Sequence, residues 1–222
     1  MPDPHVRSHF LDPDVARYAA EHATPADEVQ RWVHAETQER FPDWSVMQVG
    51  DDQSVLLEVL TRAIGARLAV EVGTFTGSSA LAIARGLTPG GRLVCCDASE
   101  EWTAVAREAW SRAGVAHRVE LRIGPALDTL RALPTEASID LAFVDADKVG
   151  YVDYYAEIVP RLRPGGLLLA DNTLQWGRVV DPSVSDDSVV AIRAFNDMVV
   201  ADDRMQSVLL PFGDGVTVAQ RR

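Results

Sequence analysis

The sequence predicts an α/β fold built on a mostly parallel sheet, with helices on both faces. From residue 67 onward, short β-rich runs such as RLAVEVG and RLVCCD alternate with stretches of helical spacing. This alternation is typical of βαβ units, in which two helical layers enclose a parallel sheet. The strand runs are also continuously apolar, as expected of strands that are covered on both faces.

The predicted strands and helices follow one another in a regular order. Strands lie in RLAVEVG, RLVCCD, RVELRIG, IDLAFVDAD and GGLLLADN, and the helices between and after them span 78–87, 99–113, 125–133, 151–162 and 188–200. At the end of the chain, SVLLP and VTVAQ flank the turn residues Gly213-Asp214-Gly215. This pattern predicts a hairpin that finishes the sheet with an antiparallel edge pair.

The first 65 residues are predicted to form a helical extension of the core at 66–222, both within one domain. Helical spacing covers 12–23 and 24–40, and Thr24-Pro25 is expected to cap the second helix. A third helix, capped by Asp51 or Asp52, should stop at Gly65. We expect these helices to pack on the same domain or across a dimer.

Composition narrows the class of protein. The chain has 222 residues, of which 47% are hydrophobic and 24% charged, as in ordinary globular proteins. It contains no apolar run of about 18 residues, the length that a membrane helix needs. The N-terminus has no basic start followed by an apolar stretch, so a cytoplasmic location is expected. The net charge of -12 argues against broad contact with nucleic acid, although a locally basic groove stays open.

The segment EVGTFTGSSA joins the first parallel strand to its helix. Gly73 and Gly77 allow a tight turn and the approach of a ligand to the backbone, and Ser78 or Ser79 is expected to cap the helix. The loop lacks the three-glycine dinucleotide pattern, and the bulk of Phe75 would crowd a pyrophosphate. A ligand without phosphates therefore fits this loop better.

Two acidic residues add to this predicted binding site. Asp97 closes the second strand, where a carboxylate can accept hydrogen bonds from both ribose hydroxyls of a nucleoside; otherwise it caps the strand end. A nucleoside without phosphates suggests S-adenosylmethionine, whose positive sulfonium suits a pocket containing Glu71. The alternative for Glu71 is a buried strand carboxylate that accepts hydrogen bonds from nearby backbone amides.

Polar side chains also follow two later strands, at the point where each ends. Asp145 ends the fourth parallel strand and Asp171-Asn172 end the fifth, so these residues should meet at one edge of the sheet. Neighbouring carboxylates repel unless a cation lies between them. Their all-oxygen donor set favours Mg²⁺, Mn²⁺ or Ca²⁺ over zinc. The alternative is that they only cap loops.

Lys148 follows Asp145 by three residues. Beside a divalent cation its pKa should fall from about 10.4, so that it acts as a base at neutral pH; otherwise it forms a surface salt bridge. A vicinal diol on an aromatic ring would bind the metal through both oxygens. After Lys148 removes one proton, the resulting oxygen would attack the sulfonium methyl.

These motifs resemble those of the cation-dependent class I O-methyltransferases, the group that contains caffeoyl-CoA and catechol O-methyltransferases. The matching parts of the sequence are MQVGDDQ, EVGTFTGSS, Asp97, AGVAHRVELRIGPA, FVDADKVGY, LRPGGLLLADNTLQWGRVV and LPFGDGVTVAQRR. The resemblance spans residue 47 to the end of the chain. It implies a Rossmann-like methyltransferase fold with a seven-stranded sheet, S-adenosylmethionine as methyl donor, a divalent metal and a homodimer.

The resemblance also implies roles for individual residues. Asp145, Asp171 and Asn172 would be the metal ligands and Lys148 the catalytic base, with Asp145 beside it. Around the methyl donor would lie Met47, Glu71, Gly73, Phe75, Ser79, Asp97, Ala126 and Asp145. Candidates for the acceptor pocket are Lys148, Asn172, Trp176 and Tyr151, where packing is an equal alternative for the last two. Asp147 would either assist near the methionine part of the donor or orient its loop.

Two departures from the plant enzymes leave the acceptor open. The MQ-S-P start of the plant segment is MQVGDD here, and TLQWGRV displaces the aromatic residue relative to TLWNG. Besides a small aromatic diol, a hydroxylated transfer-RNA base is a possible acceptor. A NAD-binding oxidoreductase is a third hypothesis, which Phe75 disfavours because its bulk would crowd the pyrophosphate. His5 and His9 have helical spacing, but no metal site is expected there.

Overall fold

The computed structural model describes residues 10–222, so His5 and His9 lie outside the described residues. The strands are β1 (Leu68–Val72), β2 (Arg92–Asp97), β3 (Val119–Ile123), β4 (Ile139–Val144), β5 (Leu162–Ala170), β6 (Met205–Leu210) and β7 (Val216–Arg221). The helices are α1 (Pro13–Glu21), α2 (Glu28–Arg40), α3 (Asp51–Ala63), α4 (Ser78–Gly86), α5 (Glu100–Arg112), α6 (Ala126–Ala132), α7 (Tyr151–Ile158) and α8 (Asp187–Ala201).

The seven strands form one sheet in the order β3-β2-β1-β4-β5-β7-β6. Strands β1 to β5 run parallel to one another, whereas β7 is antiparallel to both of its neighbours, β5 and β6. The predicted fold class and the C-terminal hairpin are therefore confirmed. The chain runs outward from β1 to β3 and then crosses back to β4, so the strand order reverses beside β1. Ligands of open α/β sheets bind at such a reversal, beyond the carboxyl ends of the strands.

Alternation along each buried strand divides the core between the two faces of the sheet. Leu141 and Phe143 of β4 pack with residues of α3, α4 and α5 on one face. Ala142 and Val144 of the same strand pack with residues of α6, α7 and α8 on the other face. Both faces are thus dry, which explains why these strands are apolar throughout rather than alternating.

The N-terminal helices pack against the glycine loop through a buried polar network. The side-chain amide of Gln48 donates to the hydroxyl of Thr37 in α2 at 2.8 Å and to that of Thr76 at 3.0 Å. The Thr37 hydroxyl in turn lies 2.9 Å from the Thr76 hydroxyl. Because all three residues are buried, this network ties α2 to the loop that follows β1.

Three predicted helix caps are wrong. Helix α2 begins at Glu28 and is capped by Asp27, which forms a reciprocal capping box with Gln30, so Thr24-Pro25 lies outside the helix. Helix α3 has Gly50 at its cap position, and neither Asp51 nor Asp52 caps it. Helix α4 starts from Gly77, and no serine caps it.

Of two predicted helix ends, one agrees with the structure and the other does not. Helix α3 ends before Gly65, as predicted, and Gly65 adopts a φ of 63°. Helix α7 ends at Ile158 rather than at Leu162, because Pro160 lacks the amide that would continue it, and the chain forms a 3₁₀ turn over Val159–Arg161.

Among residues 10–222, no helix is long and apolar enough to cross a membrane. Cys95 and Cys96 are both free thiols buried in the sheet.

Gly73 is required by the contact between the ends of β1 and β4. Its φ is +90°, and a Cβ at this position would lie 2.0 Å from the backbone oxygen of Asp145. The sequence pattern attributed this glycine to the approach of a ligand. In the structure, the neighbouring strand end already occupies the space that a side chain would need.

We predict that Gly73→Ala lowers the free energy of unfolding by about 3 kcal/mol or more, because the new methyl group would displace the Asp145 backbone. Gly90→Ala is the matched control, since Gly90 also has a positive φ (+76°) but no atom within 4 Å of its Cβ position. The control should cost only about 1–2 kcal/mol. Urea denaturation measures both, and equal losses would contradict the proposed clash.

Candidate active site

The carboxyl ends of β1, β4 and β5 lie side by side and continue the sheet ladder beyond the strands. The amide of Asp145 donates to the carbonyl of Val72 at 2.8 Å, and the amide of Asp171 donates to the carbonyl of Val144 at 3.0 Å. Asp145 and Asp171 therefore occupy adjacent strand ends, as the sequence pattern predicts. The parallel pairing of β4 with β5 holds them there.

Asp171 is buried beside a second carboxylate. Burial, together with repulsion from Asp145, raises the pKa of Asp171 to about 7, while the Lys148 ammonium and Gln53 of α3 act in the opposite direction. Asn172 follows in a left-handed conformation, with a φ of 54°. Its amide donates to Oδ1 of Asp171 at 2.7 Å. The fold thus keeps a carboxyl group in a position where its charged form is costly without a cation.

Lys148 lies at the start of a 3₁₀ turn that follows Asp145. Its Nζ donates to Oδ1 of Asp145 at 2.9 Å and to the hydroxyl of Tyr151 at 2.8 Å. Burial alone would lower the pKa of Lys148, but its interactions with Tyr151, Asp145 and Asp171 outweigh burial and raise this pKa. The expected lowering concerned a site that contains a divalent ion. The contacts of Lys148 within the protein stabilise its ammonium form.

Tyr151 lies beneath the strand ends and is fully buried. Its hydroxyl is 3.0 Å from the carbonyl of Asp171 and 3.2 Å from that of Val144, while its oxygen accepts a hydrogen bond from Lys148. The ring packs edge-on against Phe195 of α8 at 5.4 Å. Of the two alternatives that the sequence leaves open for Tyr151, these contacts favour the packing role.

Asp147 holds the turn that carries Lys148. Its Oδ1 accepts a hydrogen bond from the hydroxyl of Tyr154 at 2.5 Å, and its Oδ2 accepts one from the amide of Gly150 at 3.0 Å. Both carboxylate oxygens are therefore engaged within the turn and the first helical residues after it. This arrangement favours the loop-orienting alternative for Asp147.

Asp97 binds the backbone of the glycine loop. Its Oδ2 accepts hydrogen bonds from the amides of Thr74 at 2.9 Å and Phe75 at 2.7 Å, and its Oδ1 accepts one from Ser99 at 2.8 Å. Asp97 therefore does cap the end of its strand, which is one of the two roles that the sequence leaves open for it. Because a carboxylate has about four acceptor positions, Asp97 can still accept hydrogen bonds from a ligand.

Phe75 has a φ of 50° and is buried against Trp102. The two rings meet edge-on, with 5.2 Å between their centroids. Trp102 in turn lies 6.0 Å from Trp44. The aromatic side chain of Phe75 therefore points into an aromatic cluster beside the loop. Trp44 and Met47 project from the 3₁₀ helix Pro42–Met47 and are exposed, which leaves Met47 at the surface near the glycine loop.

Glu71 is completely buried on β1 with an incompletely bonded carboxyl group. Its Oε2 accepts a hydrogen bond from the hydroxyl of Thr74 at 2.8 Å, whereas its Oε1 has no hydrogen-bond partner. Burial raises the pKa of Glu71 to about 7. The structure gives Glu71 no backbone-amide donors, so the second alternative is not supported by its contacts.

Other predicted site residues occupy the edges of this region. Ser79 is buried in the first turn of α4, and Ala126 is the first residue of α6. Trp176 lies in the loop after Asn172 and exposes 54% of its surface. A half-exposed indole close in sequence to a strand-end amide suits an acceptor contact better than core packing.

Sequence reasoning missed two residues that act on these groups. Gln53 lies in the quoted segment MQVGDDQ, yet nothing in its spacing indicated that α3 brings it near Asp171. Asp214 was read only as a turn residue, whereas its side chain accepts a hydrogen bond from the amide of Trp176. The motif GDG was the available signal, but its contact lies 38 residues away in sequence.

The donor set suits a hard divalent ion. Asp145 and Asp171 supply carboxylate oxygens, and the Asn172 side chain can supply an amide oxygen. Within the part of the chain that the structure describes, there is no group of three or more His, Cys, Asp and Glu side chains that could hold a metal. The candidate protein ligands at the strand ends are therefore the two aspartates and the asparagine.

The reversed strand order, the glycine loop after β1 and the acid after β2 form an edge of the kind that binds nucleosides in open α/β sheets. The family match and the similar proteins given below assign this sheet to the class I, S-adenosylmethionine-dependent methyltransferases. Within that class, the chain belongs to the O-methyltransferase family, whose pattern matches residues 20–222. The enzyme therefore transfers methyl groups to oxygen.

Known proteins agree with this assignment. The chain is 37% identical over 208 residues to "Probable caffeoyl-CoA O-methyltransferase 2" of Dictyostelium discoideum, covering 92% of this chain and 90% of that protein. The crystal structure of the O-methyltransferase TomG from Streptomyces achromogenes, in complex with S-adenosylmethionine, has a TM-score of 0.84 at 32% identity, over 94% and 96% of the two chains. The O-methyltransferase from Bacillus cereus, in complex with S-adenosylhomocysteine, has a TM-score of 0.86 at 31% identity, over 94% and 97%.

Proposed function

We propose that this enzyme methylates one hydroxyl of a catechol-like small molecule in a reaction that depends on a divalent metal. The observation that carries the proposal is the pair of carboxylates on adjacent strand ends, with the Lys148 ammonium 2.9 Å from one of them. An aromatic diol offers two neighbouring oxygens to such a site. The similarity to a protein named for caffeoyl-CoA supports an acceptor of this kind.

Residues of the glycine loop and its surroundings would hold the methyl donor. Asp97 would accept hydrogen bonds from the ribose hydroxyls, and the unpaired Oε1 of Glu71 would accept one from the donor's polar end. Phe75 would limit the space beside the adenosine, and Met47 would lie on the open side near the sulfonium. The remaining contacts would come from Gly73, Ser79, Ala126 and Asp145.

Asp145, Asp171 and Asn172 would hold Mg²⁺, Mn²⁺ or Ca²⁺ at the strand ends. Such an ion, when bound, would favour the loss of a proton from a phenol oxygen and stabilise the charge that remains. The buried Asp171 would gain a partner for its ionised form. Trp176 would contact the acceptor ring from the exposed side, and Asn172 would border both the metal and the acceptor.

Lys148 would act on the acceptor hydroxyl itself. In its neutral form, Nζ accepts the hydroxyl proton, and the oxygen uses its freed electron pair to form the bond to the methyl carbon. The carbon–sulfur bond breaks at the same time, and its electrons return to sulfur, which becomes a neutral thioether. Tyr151 keeps Nζ at the strand ends through the 2.8 Å hydrogen bond.

We predict that Lys148→Arg and Lys148→Ala both reduce kcat by about 10²–10⁴-fold, while the affinity for S-adenosylmethionine stays nearly unchanged. Arginine keeps the positive charge beside Asp145 but does not accept a proton at neutral pH, so it separates base chemistry from the ion pair. Steady-state kinetics and calorimetric donor binding measure the two effects. Near-normal turnover by Lys148→Arg would exclude the proposed base.

We also predict that methylation of caffeic-type catechols stops in EDTA and returns with Mg²⁺ or Mn²⁺. Asp171→Ala should lose this response. Direct Mn²⁺ binding, measured by electron paramagnetic resonance without acceptor, should weaken as pH falls below about 7, because protonated Asp171 is no longer a ligand.

The same assay distinguishes the proposed acceptor from the alternative one. Unmodified RNA is incubated in parallel with the catechols and labelled methyl donor. Methylated RNA with no methylated catechol would contradict the small-molecule proposal, and full catechol turnover in EDTA would contradict the metal requirement.

A further inference from the structure

The loop that follows the proposed metal ligand Asn172 has an unusual backbone. Asn172, Gln175 and Trp176 adopt φ angles of 54°, 48° and 58°, and Gly177 follows at 79°. Residues with side chains rarely adopt this left-handed region, and they keep it only where neighbouring structure holds them. The shape of this loop therefore depends on contacts from outside the loop.

Those contacts come from the turn between β6 and β7. The amide and hydroxyl of Thr173 each donate to the carbonyl of Gly215 at 3.0 Å, and the amide of Leu174 donates to the carbonyl of Asp214 at 3.0 Å. The amide of Trp176 donates to Oδ1 of Asp214. A Cβ on Gly215 would lie 2.5 Å from the side chain of Leu174, so the two segments are in direct contact.

Asp214 is the member of the turn that binds the loop through its side chain. It is buried, with 6% of its surface exposed, whereas the indole of Trp176 is half exposed. The hydrogen bond therefore fixes the backbone of a residue whose side chain faces outward. A hydrogen bond from an amide to a charged carboxylate is among the stronger hydrogen bonds in proteins.

We propose that Asp214 is a positioning residue that determines acceptor specificity, because it sets where the Trp176 indole lies relative to the acceptor. This inference rests on the proposed function, in which Trp176 contacts the acceptor ring. Asp214 itself would touch neither the donor nor the acceptor. Its effect would pass through the Trp176 backbone.

The kinetic test uses Asp214→Ala with an unsymmetrical catechol that yields two methyl ethers. Without the hydrogen bond, the loop has to be ordered when the acceptor binds, and a cost of the size of one charged hydrogen bond would raise KM for the acceptor by about tenfold. The ratio of the two ethers should move toward one, while donor affinity stays unchanged. Asp214→Asn keeps the shape but not the charge, so its changes should be smaller and in the same direction.

Asp202→Ala is the matched control. Asp202 accepts hydrogen bonds from Tyr155 and Arg204 just before β6, so its loss disturbs the base of the same hairpin but not the loop. This variant should leave the ratio of the two ethers unchanged. If the control and Asp214→Ala change the ratio equally, the proposed positioning role is wrong.

A second measurement is independent of catalysis. The chain has five tryptophans, so 5-fluorotryptophan labelling gives five fluorine resonances, and Trp176→Phe identifies one of them. Asp214→Ala should shift or broaden that resonance and leave the signal of the buried Trp110 in place. If Asp214→Ala does not fold, Asp214→Asn is measured instead, with a smaller shift expected.

The two measurements separate this inference from the proposed function. If the wild-type enzyme methylates no catechol, the proposed function fails, and the fluorine spectrum still decides whether Asp214 positions Trp176. If the variants that fold leave both the Trp176 resonance and the ether ratio as in wild type, the inference is overturned.

Discussion

The pairing of β4 with β5 forces two carboxylates and one ammonium into a small volume at the edge of the sheet. Asp171 is buried there, and its pKa is raised to about 7 because burial and repulsion from Asp145 outweigh the attraction of Lys148. Lys148 is held by Asp145 and Tyr151, which raises its own pKa. The site is thus arranged around charges that its own residues balance only in part, and the proposed divalent ion would act on all of them.

The surrounding structure restricts how this group of charges can move. Gly73 lets the end of β1 lie directly against the backbone of Asp145, and this contact fixes the glycine loop relative to the strand ends. On the other side, the β6–β7 turn holds the loop after Asn172. These contacts therefore hold the glycine loop and the loop after Asn172 at fixed positions about one set of polar groups.

How well the sequence predicts a feature of this site depends on how far apart in sequence the interacting residues are. The apolar strands and the polar residues that end them are local patterns, so they indicate the parallel sheet and the meeting of Asp145 with Asp171. Helix caps depend on single side chains, and here Asp27 and Gly77 replaced the expected caps. Asp214 accepts a hydrogen bond from the amide of Trp176, and Gln53 of α3 influences the pKa of Asp171. Both pairs are far apart in sequence, so only the folded chain brings them together. Burial likewise favours the packing role among the two that the sequence left open for Tyr151.

The central claim is that Lys148 changes from a stabilised ammonium to a usable base when the strand ends bind a divalent ion. Lys148 is the single lysine of the chain, so ¹³C-lysine labelling gives one ε-carbon signal whose shift reports its protonation. Titrated in EDTA, this signal should show a pKa above that of free lysine. In saturating Mg²⁺, the account predicts that the pKa falls below about 10.4, toward neutral pH. A titration curve that Mg²⁺ leaves unchanged would contradict the account.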